Sequence, residues 1–157
     1  MKKCLVVFNS NSGKGIKKET LNKIIQKIED KGYQVSTIQT KYRGHAIKIA
    51  TTASDDIDLL LSIGGDGTCN EVVYGNLKRK KRLLTSHIPL GTTNDIGSMF
   101  GLTKSILTNL DLILNGEIKK IDICLVNNRP FIYVAGFGKF MNVPYQTPRE
   151  LKKRLGY

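Results

Sequence analysis

Three glycine-bearing polar loops in this chain have the composition of phosphate-binding segments. The central loop, residues 64–68, reads Gly-Gly-Asp-Gly-Thr and follows the apolar run of residues 59–63. Glycines leave backbone N–H groups accessible and permit positive φ, so a phosphate can approach the chain closely. The one carboxylate in this loop, Asp66, would suit a magnesium ion or a hydroxyl group beside that phosphate. An ordinary glycine-rich turn with a capping aspartate is the alternative for this loop taken alone.

Two further loops have similar chemistry. The first loop, residues 9–15, reads Asn-Ser-Asn-Ser-Gly-Lys-Gly between a predicted strand and a predicted helix. Its N–H groups and the positive helix end could receive phosphate, although it lacks the GxxxxGK[ST] spacing of a Walker A loop. The third loop, residues 89–95, reads Pro-Leu-Gly-Thr-Thr-Asn-Asp. Polar turns are the alternative for each loop, but after parallel strands all three would meet at one edge, where open α/β sheets bind ligands.

Short apolar runs alternate with amphipathic segments, which predicts an α/β fold: a mostly parallel sheet flanked by helices. Leu21, Ile24, Ile25 and Ile28 recur at helical spacing, and Gly32 follows at the expected cap position. Further helices are predicted at residues 45–53, 70–77 and 105–115. Strands are predicted at residues 3–8, 34–39, 59–63, 83–88, 119–126 and 130–135. The last two are adjacent and predict a hairpin.

Composition narrows the possible partners. The 157 residues carry a net charge of +12, with a basic cluster at residues 78–82 that reads Lys-Arg-Lys-Lys-Arg. Such a run is commonly a solvated loop, but it would also suit an anionic membrane surface, at about 1 kcal/mol per cation. No aromatic residues interleave with it, so we expect no nucleic-acid partner. Cys4, Cys69 and Cys124 show no metal-ligand spacing and indicate reduced thiols in a cytoplasmic protein.

The three loops, in their order and spacing, resemble the diacylglycerol kinase catalytic-domain family, which includes bacterial lipid kinases, sphingosine kinases and ceramide kinases. Residues 131–157, with the run Val-Ala-Gly-Phe-Gly at 134–138, resemble its bacterial diacylglycerol and lipid kinase branch. The resemblance implies an N-terminal lobe like that of NAD kinases and phosphofructokinases. It also implies ATP and Mg²⁺ as cofactors, with the γ-phosphoryl group passing to a lipid hydroxyl such as that of diacylglycerol. The lipid would be met at an anionic membrane surface, to which the protein would be peripheral.

The resemblance also implies a role for individual residues. Nucleotide binding is implied for Asn9, Ser12, Gly13, Lys14, Thr40, Gly65, Asp66, Gly67, Thr68, Glu71, Thr92 and Asn94. The catalytic carboxylates are Asp66, Asp95 and Asp122, which could also form an acidic network around Mg²⁺. For Asp122, a surface ion pair or a turn contact is the alternative. The general base is implied to lie in a C-terminal lobe, and neither His45 nor His87 is a good substitute for it.

The resemblance divides the chain into residues 1–125, an α/β nucleotide-binding lobe, and residues 126–157, the start of a β-rich lipid-binding lobe. Residues 147–150 form a capping box with proline at the first helical position, so a helix is expected there. Because about two turns of helix are marginal alone, we expect the chain to be the front part of a longer protein. By itself this part is expected to be inactive.

The chain departs from the family pattern at two places. Ser10 stands where proline is usual, and Ile-Gly-Ser at residues 96–98 replaces a segment that often contains arginine. Two other functions stay open: a small-molecule kinase of the NAD-kinase type, and a non-catalytic basic module that binds lipid or nucleic acid. The sequence leaves the oligomeric state open, a homodimer included.

Overall fold

The structure, a computed structural model, describes residues 1–13 and 15–136. Its largest element is a four-stranded, wholly parallel sheet in the order β2-β1-β3-β4. The strands are β1 (Lys2–Phe8), β2 (Tyr33–Gln39), β3 (Leu59–Gly64) and β4 (Thr85–Pro89). The helices are α1 (Lys18–Glu29), α2 (His45–Thr52), α3 (Asp66–Leu77), α4 (Asp95–Met99) and α5 (Ile106–Asn115). The predicted α/β fold with a parallel sheet flanked by helices is confirmed.

Helices cover both faces of the sheet, because its central strands are apolar on both sides. On one face, Ile24 and Ile28 of α1 and Leu110 of α5 pack against strand side chains. On the other face, Ile49 of α2 and Val72 of α3 belong to a second apolar cluster. All residues of β3 are buried, as expected for an inner strand between two helical layers. The sheet is therefore the middle layer of a three-layer structure.

The strand order creates a reversal between β1 and β3. Helix α1 leads from β1 to β2 on one side, whereas α3 leads from β3 to β4 on the other. Connections that diverge in this way leave a crevice at the carboxyl ends of the two strands, and open α/β sheets bind ligands there. The first loop follows β1 and the central loop follows β3, so both border this crevice.

Two predicted boundaries among these helices and strands are wrong for physical reasons. Helix α3 begins at Asp66 instead of residue 70, so most of the central loop is its first turn. Glycines have low helix propensity, and contacts with neighbouring loops compensate for it. The fourth strand begins at residue 85 instead of 83. The Asn76 side chain instead holds the backbone of Leu83, donating to its carbonyl and accepting from its N–H, both at 2.9 Å.

The C-terminal strands are shorter than predicted. Strands β5 (Cys124–Val126) and β6 (Arg129–Phe131) pair antiparallel, so the predicted hairpin is confirmed although residues 119–123 and 132–135 lie outside it. Asn127 and Asn128 have φ of 48° and 61°, as a two-residue type I′ turn requires. Asp122 precedes β5 in an exposed irregular segment and is not within a strand as predicted. The helix predicted from residue 147 lies outside the described residues.

The three cysteines form no disulfide: Cys4 and Cys69 are buried, and Cys124 is exposed on β5. Burial raises the pKa of the Cys4 and Cys69 thiols to about 12. Both therefore remain protonated at neutral pH, and a protonated thiol is a poor nucleophile. The two buried thiols act as small apolar side chains in the core.

Candidate phosphate-binding site

The first and central loops contact each other at the crevice between β1 and β3. The N–H of Gly65 donates to Ser12 Oγ at 3.2 Å, and Asn9 Nδ2 donates to Thr68 Oγ1 at 3.5 Å. The N–H of Asn9 donates to the Ile63 carbonyl at 2.9 Å, which continues the β1–β3 pairing beyond the strand end. Four residues to which the sequence analysis assigned nucleotide contacts are thus brought together.

The third loop packs against both of the others. The N–H of Leu90 donates to the Gly64 carbonyl at 2.6 Å. A Cβ on Gly91 would lie only 2.8 Å from the Gly65 Cα, so the two glycine backbones pass each other in direct contact. A Cβ on Gly13 would overlap the Leu90 carbonyl oxygen. The predicted meeting of the three loops is therefore observed, and it depends on glycine where the backbones cross.

Asn94 shapes the third loop from within. Its Oδ1 accepts from the Gly91 N–H at 2.6 Å, and its Nδ2 donates to the Gly91 carbonyl at 2.9 Å. Its backbone has φ of 58°, a left-handed conformation that asparagine tolerates better than most residues. In the structure, the Asn94 side chain therefore fixes the turn. Thr92, by contrast, is exposed on the same loop.

The amino end of α3 is open. No side chain in the described part of the chain caps it, and a Cβ on Gly67 would have no heavy atom within 4 Å. The first N–H groups of a helix lack intrahelical partners, and the helix dipole makes this end positive. An anion can therefore approach the first turn of α3 from the crevice.

The Asp66 carboxylate faces the third loop. Its Oδ1 accepts from the Ile96 N–H at 2.9 Å, and its Oδ2 accepts from the Asp95 N–H at 3.3 Å. Asp66 thus serves as a remote cap for α4, a short helix that was not among the predicted elements. Each carboxylate oxygen has two lone pairs, so accepting one N–H apiece leaves acceptor capacity for another ligand.

Other predicted residues have different placements. The N–H of Thr40 donates to the Phe8 carbonyl at 2.8 Å, which places it at the carboxyl end of β1 beside the first loop. The Glu71 carboxylate does not contact the three loops in the observed hydrogen bonds; its Oε1 accepts from the Gly44 N–H at 2.8 Å. Lys14 lies outside the described residues.

The residues fit Mg²⁺ only in part. Among residues 1–13 and 15–136 there is no group of three or more His, Cys, Asp or Glu side chains that could hold a metal. The predicted network of Asp66, Asp95 and Asp122 is therefore not assembled as a preformed cage. The Asp66 carboxylate does contact the backbone N–H of Asp95, at the start of α4. A single carboxylate in this position fits the usual Mg²⁺ site of one or two carboxylates completed by substrate phosphates.

A buried polar pair lies beneath the first turn of α3. Ser62 on β3 and His87 on β4 are direct cross-strand partners, and Ser62 Oγ is 2.9 Å from His87 Nδ1. Because Ser62 Oγ donates its one proton to the Ser86 carbonyl, it accepts from Nδ1–H, which leaves Nε2 as an unprotonated acceptor. Within the described residues Nε2 has no partner. Burial lowers the pKa of His87 to about 4, while the negative charge of Asp66 acts in the opposite direction.

The basic cluster lies at the opposite edge of the sheet, after the carboxyl end of α3. Arg79 is not a solvated side chain, since only 3% of it is exposed. Its guanidinium donates to the Ala50 and Thr51 carbonyls at 3.2 and 3.3 Å. Lys78 lies over the Tyr74 ring, with Nζ 4.6 Å from its centroid. No helix in the described ranges is long and apolar enough to cross a membrane.

The chain is similar in sequence to known proteins of one family. A family model, the diacylglycerol kinase catalytic domain, matches residues 3–126. A diacylglycerol kinase of Bacillus subtilis (strain 168) is 39% identical over 158 residues, which cover 99% of this chain and 52% of that protein. One of Staphylococcus haemolyticus (strain JCSC1435) is also 39% identical over 158 residues, covering 99% and 48%.

The fold is also similar to a solved structure. The crystal structure of a diacylglycerol kinase from Bacillus anthracis str. Sterne matches with a TM-score of 0.75 and 28% sequence identity. The match covers 83% of this chain and 45% of that one. This chain spans about half the length of the curated relatives it matches.

Proposed function

Because the chain belongs to the diacylglycerol kinase catalytic-domain family, we propose that it forms the ATP-binding part of a lipid kinase. The enzyme would transfer the γ-phosphoryl group of ATP to a lipid hydroxyl such as that of diacylglycerol. The observation that carries the proposal is the contact among the three glycine-bearing loops beside the open amino end of α3. Backbone N–H groups that converge on one crevice are the donors that nucleotide phosphates require.

Phosphoryl transfer depends mainly on positioning and on neutralising the charge of the phosphates. The first turn of α3 and the first loop would bind phosphate oxygens, with Ser12 and Asn9 holding the two loops in register. Lys14 would add a positive charge from the first loop. Mg²⁺, held by Asp66 and by phosphate oxygens, would supply charge neutralisation, and Asp95 would support it from α4. In this arrangement Asp66 has two functions, since its carboxylate also caps α4.

The site in residues 1–157 would be only part of an active site. The relatives are about twice as long, so groups that bind the lipid and remove its hydroxyl proton would lie in their remaining length. We expect an isolated polypeptide of residues 1–157 to bind ATP·Mg²⁺ weakly and to transfer no phosphoryl group to lipid. Turnover by this polypeptide at about 1–100 per second, a rate typical of kinases, would contradict the proposal.

The direct test uses the protein at its full natural length with γ-labelled ATP, Mg²⁺ and vesicles that contain diacylglycerol. Label should appear in the lipid fraction and should require both ATP and Mg²⁺. A parallel reaction with NAD as acceptor tests the small-molecule alternative. Label in NAD, or salt-sensitive vesicle binding with no label in the lipid fraction at any ATP concentration, would overturn the proposal.

A further inference from the structure

Helix α3 and the residues just after it contact α2 through a stripe of three residues spaced four apart. Glu71 and Gly75 lie on one side of α3, and Arg79 follows at the same interval, two residues after the last residue of the helix. A Cβ on Gly75 would overlap the carbonyl oxygen of Ile47 in α2, so the two helix backbones touch at the middle of the stripe. Both helices begin at the carboxyl edge of the sheet, and they therefore run parallel.

The two charged ends of the stripe bind the two ends of α2. The Glu71 carboxylate accepts from the N–H of Gly44, the residue that caps the amino end of α2. At the other end, the Arg79 guanidinium donates to the carbonyls of Ala50, Thr51 and Ala53. Arg79 also forms an ion pair with Asp55, and only 3% of its side chain is exposed. Glu71 and Arg79 thus hold the two ends of α2, and we call this pair of residues the clamp.

The charges of the clamp complement the dipole of α2. A helix is positive at its amino end and negative at its carboxyl end, so a carboxylate at the first and a guanidinium at the second both stabilise it. Helix α2 has no acidic residue in its first turn, no basic residue in its last turn and no side-chain cap at Gly44. Glu71 in α3 and Arg79 just after α3 therefore provide the capping groups that α2 lacks.

Residues 40–44 connect the end of β2 to the amino end of α2. We call this segment the second loop; it is not one of the three glycine-bearing loops. This loop is fixed at both ends, by the Thr40 N–H on the Phe8 carbonyl and by the Gly44 N–H on Glu71. Just before it, Gln39 Nε2 donates to Ser10 Oγ of the first loop at 2.6 Å. Lys41 and Arg43 are exposed on the second loop, and neither forms an ion pair within the described residues.

We propose that Glu71 is a positioning residue that holds the cationic second loop beside the first loop, where it forms a side wall of the nucleotide site. This inference rests on the proposed function, and it changes the role first assigned to Glu71 from nucleotide contact to loop support. Arg79 holds the far end of α2, at the opposite edge of the sheet, and therefore affects stability without reaching the site.

The two ends of the clamp provide matched variants in the full-length enzyme. Glu71→Ala is expected to raise KM for ATP about tenfold while kcat changes less than threefold, because the second loop loses its anchor. Glu71→Gln retains an oxygen that accepts from Gly44 and is expected to restore KM to within about twofold. Arg79→Ala is expected to lower Tm at least as much as Glu71→Ala while KM stays within about twofold.

Several outcomes would overturn the proposal. If Glu71→Gln raises KM as much as Glu71→Ala does, the negative charge itself is required, and Glu71 contacts the nucleotide or its metal. If Arg79→Ala raises KM equally, the clamp is only structural. Amide hydrogen exchange at Gly44 gives a readout that does not need activity. It should accelerate in Glu71→Ala and not in Glu71→Gln, even if the wild-type protein fails to use ATP and the proposed function is wrong.

Discussion

The two ends of helix α3 differ in where the basic side chains lie and in which groups could receive an anion. The amino end carries no basic side chain, yet it presents an open helix terminus and the close contacts of three loops. The carboxyl end is followed by five consecutive basic residues, but Arg79 donates to the end of α2 and Lys78 stacks on Tyr74. The conspicuous charges are partly structural, whereas the candidate phosphate site is built mainly from backbone groups.

The distance between these ends matters for how a membrane could be met. Helix α3 has 12 residues, and at 1.5 Å per residue it spans about 18 Å. The basic cluster and Asp66 therefore lie at opposite edges of the sheet. A membrane held by the basic cluster alone would face away from the phosphate loops. We therefore expect the cluster to add general attraction to anionic lipid and not to present the lipid hydroxyl to ATP.

The largest effect on activity is expected at the amino end of α3, from Asp66→Asn in the full-length enzyme. This variant keeps one oxygen that can accept from the Ile96 N–H, so α4 should remain capped while the carboxylate charge is lost. We expect kcat/KM to fall at least about 100-fold, as for other losses of a charge-stabilising group, with little change in Tm. The matched control is Asp30→Asn at the exposed carboxyl end of α1, where, within the described residues, the Asp30 side chain accepts only from Gln26. Activity of Asp66→Asn within a few-fold of wild type would mean that Asp66 only caps α4.

Gly91→Ala tests the backbone contact at the same end. The new methyl group would lie 2.8 Å from the Gly65 Cα, so the third loop must move away from the central loop. We expect kcat/KM to fall roughly 10- to 100-fold, because small displacements of positioning groups are costly. Gly32→Ala is the control: its φ of 82° makes the substitution strained, but the site is remote. Equal losses of activity in both variants would show that the glycine contact has no special role.

His87 provides a test by pH. In the unfolded chain its pKa is near the ordinary 6.5, whereas burial lowers it to about 4 in the native state. The unfolded state therefore binds the proton first, and the native state loses stability as pH falls from 6.5 towards 4. The expected loss is ~2 kcal/mol between pH 7 and pH 5. Hydrogen exchange in β3, corrected for intrinsic rates, should show this loss in wild type and in His45→Asn. An unchanged pH dependence in His87→Asn would contradict this assignment.

The smallest effect is expected on vesicle binding, from a variant in the basic cluster after the carboxyl end of α3. Lys80 is exposed, and its replacement by alanine should weaken binding to anionic vesicles by about 1 kcal/mol, or roughly fivefold, at low salt. The rate of phosphoryl transfer at saturating vesicle concentration should stay unchanged. Lys80→Arg keeps the charge and should bind like wild type. A large loss of transfer in Lys80→Ala would place the lipid beside the basic cluster and reverse the comparison of the two ends.

Much of this arrangement could be predicted from the sequence because it depends on local patterns. Apolar runs predicted β1, β2 and β3 to within one residue, and the residues of the three loops indicated the family that the comparisons confirm. The predicted start of α3 was wrong because glycines disfavour a helix, and only contacts with other loops stabilise its first turn. The same limit applies to Gly91, whose importance depends on a glycine far away in sequence.

The roles of charged side chains were harder to predict. Glu71 and Arg79 bond to backbone groups more than 25 residues away, as the separations of 27 and 29 residues show. Nothing in the local pattern distinguishes Arg79 from its basic neighbours, since burial depends on where α2 ends. Asp122 was expected in a strand because apolar residues flank it, but β5 begins only at Cys124. These contacts become visible only when the helices are packed on the sheet.

The different environments of the cysteines offer a practical consequence. Because Cys4 and Cys69 are buried, with thiol pKa values raised to about 12, a thiol reagent applied to the native protein should modify only Cys124 among the three cysteines of residues 1–157. That residue begins the hairpin that follows the sheet. A fluorescent or spin label could therefore be attached there without engineering the chain, giving a native reporter on how the hairpin responds when nucleotide is added.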